Sequence, residues 1–392
     1  MTTFISGCEV VRLSSGVLTS PEYPFKKIND IKIRMIKKGV RVIDLGVGDT
    51  FLSAPEVAVE AMKKAVDDTA NHHYNSYNGL PFFRETVSEW MLKRFGIKID
   101  PENEITAVIG TKEALFRIPS AFIDSGDIAL IPEPVYPALV SGLQFSGGSP
   151  YTLPLKVENR FLPDLDNIPE KIRQKAKFIY INYPNNPSTA EMTSEFAKKL
   201  LKFAEKYDWG IVSDMAYSEI YEKTPNISLL EFEGAMDRVV EFHSLSKTYS
   251  MTGFRIGFAA GNKDIISALV KIKSIRGSSP FQPVQAAAAA ALKYGEDYLS
   301  KMRELYSFNR KMMKSLFSNK GLEFFHSSST FYIWACVPEG MTSLSFSEHM
   351  LEKYGTIVTP GALLGQWGEG WFRACFARPA EELEEFVNRF GR

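Results

Sequence analysis

The sequence predicts an α/β fold, with a mostly parallel central sheet covered by helices on both faces and a smaller α+β domain beside it. Three observations predict it. Short β-rich runs alternate with longer amphipathic stretches from about residue 48 to residue 285. Those runs are almost continuously apolar, the pattern of strands buried on both faces. After Pro283 the pattern changes to long helices with two further strand-like runs. At 392 residues the chain also exceeds the roughly 250–300 at which one core stops growing, so two domains are expected.

In order, the strand candidates are RVIDLG (41–46), EITAVIG (104–110), IALIP (128–132), KFIYIN (177–182), WGIVSD (209–214), RVVEFH (238–243) and RIGFAAG (255–261). Most are rich in Val, Ile and Phe, and all are short enough for strands. Between them, PEVAVEAMKKAVDD, KEALFRIPSAFI and TSEFAKKLLKFAEKY carry apolar residues at helical spacing. These runs assign a large domain to 48–285. Beyond it come an Ala-rich helix, the charged amphipathic GEDYLSKMRELYSFNRKMMKSLFSNKG and strand-like FYIWACV. A helix near 345–354, strand-like WFRACFA and the helix AEELEEFVNRF follow. We read residues 286–392 as the small domain, completed by 1–47.

Lys+Arg and Asp+Glu both number 46, so the chain lacks the basic footprint of a nucleic-acid or anionic-membrane binder. Small molecules are the expected ligands. The three cysteines, Cys8, Cys336 and Cys375, are far apart and form no C-x-x-C pair, which points to reduced thiols and no metal site. The opening MTTFISGCEVV has no charged region followed by an apolar one, and the longest uniform run, Ala286 to Leu292, is far short of a membrane span. A cytoplasmic location is expected.

Ligands of open α/β sheets bind beyond the carboxyl ends of the strands. Strand 104–110 is followed by Gly110-Thr111-Lys112-Glu113 opening a helix, and strand 177–182 by Tyr183-Pro184-Asn185-Asn186-Pro187. Strand 209–214 ends in Asp214 with Tyr217 just beyond, and strand 238–243 leads into Ser244-Leu245-Ser246-Lys247-Thr248-Tyr249. An amine, a carboxylate, an amide, hydroxyls and a helix start therefore converge. Pyridoxal phosphate needs this set: an amine for its aldehyde, a carboxylate for its ring nitrogen, donors for its phenolate oxygen and an anion cradle for its phosphate.

SLSKTYSMTGFRIGFAAG resembles the cofactor-lysine block of class I, fold-type I aminotransferases, and YPNNP, SDMAYSEIY, YNSYNGLPFFRE and WFRACFA match further blocks of that family in order. The likeness runs from about Tyr23 to the C-terminus. YPFKKINDIK…VIDLGVGD, TFYIWACVP and VTPGALLGQWGEGWFR resemble the LL-diaminopimelate aminotransferase group within it. The resemblance implies a homodimeric pyridoxal-phosphate enzyme that moves amino groups between an L-amino acid of the LL-diaminopimelate or aspartate type, with glutamate and 2-oxoglutarate as the partner pair, and a 2-oxo acid.

The resemblance also implies a role for each matching residue. Lys247 corresponds to the lysine that joins the cofactor and then shuttles a proton, a task eased by desolvation and by the neighbouring cation Arg255. Asp214 corresponds to the partner of the ring nitrogen; on its own it would read as a helix cap. Asn186 and Tyr217 correspond to the donors to the phenolate oxygen, and Tyr136 to the ring that stacks on the cofactor, although a core tyrosine would look the same. Ser244, Ser246 and Arg255, with the backbone of Thr111 and Lys112, correspond to the phosphate cradle. Tyr74 corresponds to a tyrosine that reaches the neighbouring subunit's phosphate. Arg373 corresponds to the arginine for the substrate α-carboxylate, and a lone charge in WFRACFA independently calls for a ligand. Gly48 lets backbone approach the substrate, unless it is an ordinary turn glycine.

Three departures from the family pattern stand out: Pro187-Ser188-Thr189-Ala190 replaces P-T-G, Gly48-Asp49-Thr50 replaces G-[DE]-P, and Ser-Ile-Arg-Gly-Ser-Ser-Pro at 274–280 departs from the diaminopimelate group. The first two remove no chemical group. The third touches substrate choice, where Arg276 is either a reader of a distal carboxylate or a surface ion pair. A β-lyase on the same scaffold and a non-catalytic relative stay open as alternatives. A Rossmann-type nucleotide enzyme does not fit, because G-x-G-x-x-G and the P-loop motif are both absent.

Overall fold

A computed structural model of the chain describes residues 26–391, with side chains from Asn29 onward. Cys8, the opening MTTFISGCEVV, Tyr23 and the first part of the 1–47 segment lie outside the described residues. The central sheet has seven strands: β2 (Ile105–Val108), β3 (Ile128–Glu133), β4 (Ser149–Pro154), β5 (Ala176–Asn182), β6 (Gly210–Asp214), β7 (Val239–Ser244) and β8 (Gly257–Gly261). Their order is β2-β8-β7-β6-β5-β3-β4, and β8 alone runs antiparallel to its neighbours.

Both faces of this sheet are buried, as the apolar runs require. Ile179 and Ile181 of β5 pack into one hydrophobic cluster, while Phe178 and Tyr180 pack into the other. The covering helices follow the same logic. Helix Ser194–Tyr207 buries Phe196, Ala197, Leu200, Leu201 and Ala204, and Thr193 caps it by accepting from the Phe196 N–H. Burying each of its leucines is worth about 2 kcal/mol, and removing the Thr193 cap would cost about 1 kcal/mol.

The sequence does not predict β4, because its SPYTLP is half polar and carries Pro150 and Pro154 within it. Strand β1 (Ile43–Asp44), foreseen as 41–46, pairs with β10 (Thr356–Ile357) in a separate two-stranded sheet. The stretch KEALFRIPSAFI splits into a helix Thr111–Arg117 and a 3₁₀ turn Ile118–Ala121 at Pro119, which cannot donate to a helical ladder.

Past the large sheet, helix Gln282–Tyr294 packs on helices Glu56–Asp67 and Pro81–Phe95, so the sequence boundary at 285 falls inside it. A three-stranded antiparallel sheet follows, ordered β11 (Thr359–Pro360), β12 (Trp371–Cys375), β9 (Tyr332–Cys336). Cys336 and Cys375 are free thiols at opposite ends of the β9–β12 pair. Helix Lys26–Lys37 lies near β1 and approaches the cleft between the two sheets. No helix among the described residues is long and apolar enough to cross a membrane.

Candidate active site

Strand register brings the chemistry together. Asn182 at the end of β5 pairs with Asp214 at the end of β6, and β7 ends beside them at Ser244. β12 faces these strand ends from the small sheet. Between them lies a cavity of about 660 Å³ whose wall includes Gly48, Thr111, Lys112, Tyr136, Asn186 and Asp214. Tyr217, Ser244, Ser246, Lys247, Arg255 and Arg373 complete the candidates on the same wall. Tyr74 is the exception. It is 99% exposed on the segment after the 3₁₀ turn Thr69–His72 and does not line this cavity. Its neighbours are held firmly: Asn75 donates to the Pro280 carbonyl and Lys273 to the Tyr77 carbonyl.

Lys247 Nζ donates to the Gly48 carbonyl at 2.5 Å and lies 4.0 Å from Asp49 Oδ1. Burial lowers its pKa, with Arg373 and Arg255 pushing the same way and Asp49 and Cys375 opposing. Asp214 is buried, and burial raises its pKa to about 6 against the hydrogen bonds from Ala216 N–H and Tyr180 O–H. The Ala216 bond caps a turn, not the helix the sequence alone suggests, since no helix follows Asp214 directly; the second oxygen meets Tyr180.

Arg373 sits in the middle of β12, 4% exposed. Its guanidinium donates to Asn186 Oδ1 at 2.5 Å, to the Gly46 carbonyl at 2.7 Å and to Thr359 Oγ1 at 3.3 Å. All three partners are neutral, and Nε is buried with no partner among the described residues. A buried cation held this way has room for one anionic ligand.

The other wall suits a phosphate. Arg255 adopts a left-handed backbone (φ 56°), donates to the Thr252 carbonyl and lies so close to Gly110 that a Cβ there would strike its Nη2. Gly110 itself has φ 74° and leads into Thr111 at the helix start. Ser244 and Ser246 are buried beside them. Gly48 is equally constrained, since a Cβ would strike the Tyr332 hydroxyl.

Several residues of the site were not singled out from sequence. The Tyr332 hydroxyl bonds the Tyr217 hydroxyl at 2.8 Å, and its ring lies 4.3 Å from the Arg373 guanidinium carbon. Burial pushes its pKa up to about 12. Asn182 donates to the Asp214 carbonyl and accepts from the Asn186 N–H. Tyr332 lies inside FYIWACV and Asn182 ends KFIYIN, so position was legible and role was not. Arg276 lines a different cavity of about 230 Å³, together with Arg117.

An amine of lowered pKa, a buried carboxylate, a hydroxyl-and-guanidinium cradle that leaves no room for a Cβ, and an arginine lacking an anion fit pyridoxal phosphate with an amino-acid substrate. The fold and site therefore define a pyridoxal-phosphate enzyme. Residues 40–390 match the family model described as aminotransferase class I and II, and the chain belongs to that family. It is a pyridoxal-phosphate-dependent aminotransferase. Similar relatives are the LL-diaminopimelate aminotransferase of Aquifex aeolicus, 47% identical over 94% of this chain and 96% of the relative, and that of Nitratidesulfovibrio vulgaris, 41% identical over 97% and 99%. Among solved structures, substrate-bound BacF from Bacillus subtilis aligns with a TM-score of 0.93 at 31% identity, covering 97% of each chain. A mutant of Thermus thermophilus aspartate aminotransferase aligns at 0.91 and 26% identity, over 97% of this chain and 99% of that one.

Proposed function

We propose that this aminotransferase moves an amino group between LL-diaminopimelate and 2-oxoglutarate, in either direction, by a ping-pong route. The 47% identity to a relative of that name supports the substrate. The site roles rest on one observation above all: Arg373 is a buried guanidinium with neutral partners only, in the cavity that also holds Lys247 and Asp214.

Pyridoxal phosphate, when bound, supplies an aldehyde for the amino group and a ring that accepts the electron pair leaving Cα. The chain's own groups do the rest. Arg373 binds the α-carboxylate and, with Asn186 and the Gly46 carbonyl fixing its fork, orients the substrate. Lys247 Nζ, whose pKa burial lowers, would take the proton from the substrate Cα and deliver it to the cofactor C4′. Asp214 would hold the proton of the ring nitrogen. Asn186 and Tyr217 would donate to the phenolate oxygen, with Tyr217 steadied by Tyr332. Tyr136 would stack on the ring. Ser244, Ser246, Arg255 and the backbone of Thr111 and Lys112 would cradle the phosphate, and Gly48, packed under the Tyr332 hydroxyl, would let the backbone approach the substrate.

On the same reading the enzyme is a cytoplasmic homodimer, divided into 48–285 and a small domain of 1–47 with 286–392. Tyr74 supports the dimer: a fully exposed tyrosine on a tethered segment suits a neighbour's phosphate.

An absorbance titration with single amino acids and no oxo acid tests the reading. LL-diaminopimelate and glutamate should bleach the visible band of the bound cofactor and release one 2-oxo acid per site. Bleaching by aspartate but not LL-diaminopimelate would reassign the substrate. Pyruvate and ammonia released from a cysteine conjugate, with no oxo acid consumed, would replace transfer by β-elimination.

A further inference from the structure

Arg373 and Lys247 both lean on one short turn. The Gly46 carbonyl accepts from Arg373 and from Thr359 Oγ1, and the Gly48 carbonyl accepts from Lys247. A flexible Gly-Val-Gly segment would not hold two carbonyls at fixed positions unaided, because glycine has the most backbone freedom to lose. What holds it is Asp44. One carboxylate oxygen accepts from the Gly46 N–H at 3.0 Å and the Val47 N–H at 3.1 Å. The other accepts from Lys32 Nζ at 2.5 Å, and Lys32 projects from helix Lys26–Lys37 into the cavity wall. Arg378 grips the same turn from behind through the Asp44 and Val47 carbonyls.

We propose that Asp44 is a positioning residue for the carboxylate-binding site. It folds the 46–48 turn so that the Gly46 carbonyl aims the Arg373 guanidinium, and through Lys32 it fastens helix Lys26–Lys37 to the mouth of the cavity. Asp44 is part of the cavity wall, and both its oxygens are engaged by donors of the protein itself. It acts through two backbone amides, and its charge matters mainly for Lys32. The inference rests on the assignment of Arg373 to the substrate carboxylate.

The test is calorimetric binding of 2-oxoglutarate to the holoenzyme, which reads the carboxylate site without turnover. Losing two amide bonds to a carboxylate should weaken binding by Asp44→Ala about tenfold, with KM for both substrates raised more than kcat is lowered. Asp44→Asn keeps an amide-accepting oxygen and should recover most of that loss, whereas a merely structural lesion would lower the melting temperature and leave the Kd of the folded fraction alone. Arg373→Ala is the control. If Arg373→Ala weakens binding and Asp44→Ala does not, the positioning role is overturned while the assignment of Arg373 stands. If Arg373→Ala binds 2-oxoglutarate as the wild type does, that assignment fails and the positioning role with it.

Discussion

Arg373 and Asn186, 187 residues apart in sequence, meet at 2.5 Å through a guanidinium N–H and an amide oxygen. The bond joins β12 of the small sheet to the loop after β5 of the large one. The residue proposed for the substrate carboxylate and one proposed for the cofactor are thereby a single unit.

Arg373→Lys should therefore be far from conservative. Lysine has one ammonium where the arginine fork serves three acceptors at once. A loss of about 2 kcal/mol or more, roughly 30-fold in kcat/KM, is expected, carried mainly by KM. Steady-state kinetics with LL-diaminopimelate would check it.

Lys247→Ala should abolish turnover while the protein stays folded. The side chain's polar contacts are the Gly48 carbonyl and a 4.0 Å ion pair with the half-exposed Asp49, which water can solvate, so its removal leaves little unsatisfied. Proton-transfer help alone is worth about 10²–10⁴-fold, and on the proposed role the covalent link to the cofactor would be lost as well. Circular dichroism melting beside single-turnover assays separates the two; full activity would refute the assignment.

Asp214 should make the cofactor-free protein less stable as pH rises. Its folded pKa, about 6, lies above the ordinary 3.8, so between those values the native state binds more protons than the unfolded one. Stability from this group is present below about pH 4 and is lost as pH climbs through 6, by about 3 kcal/mol in all. Asp214→Asn should flatten that slope in urea melts at pH 4, 5, 6 and 7. An unchanged slope would mean that burial does not govern this carboxyl.

Gly48→Ala should cost activity by collision with the Tyr332 hydroxyl, at about 1–3 kcal/mol of overpacking. Removing the hydroxyl offers a specific check. The double variant Gly48→Ala/Tyr332→Phe should regain part of kcat/KM relative to Gly48→Ala, and no recovery would point to the backbone instead.

Tyr74→Ala should leave the monomer fold intact, because the side chain touches nothing in its own chain's cavity. In a homodimer with shared sites it should weaken cofactor retention. Sedimentation of the wild type should give twice the 44.1 kDa chain mass. A monomer that retains its cofactor would remove Tyr74 from the site.

The large sheet was legible because its strands are short, largely apolar runs alternating with amphipathic stretches, and six of its seven strands lie where those runs predict them. β4 escaped because an edge strand of mixed polarity carries no such signal. Most of the cavity wall was legible too, since the groups at the strand ends are chemically unusual for plain turns. What stayed hidden were contacts across long sequence gaps between ordinary residues. Tyr332 reads as core until its hydroxyl meets Tyr217, 115 positions away. Asp44 lies inside the strand-like run RVIDLG, and only the structure shows its side chain folding back on the turn beside it.

The cavity wall gathers Lys32, Lys112, Lys247, Arg255 and Arg373 against the carboxylates Asp44 and Asp214, in a chain whose acidic and basic residues balance overall. Neutral as a whole, the molecule still gathers an excess of basic side chains at this opening. Low-dielectric walls focus the field of such a cluster, so phosphate-bearing and dicarboxylate molecules are drawn inward faster than diffusion alone would bring them. Salt screens that attraction over about 10 Å at 0.1 M, so ionic strength should slow capture of the cofactor and of 2-oxo acids far more than it alters the chemistry that follows.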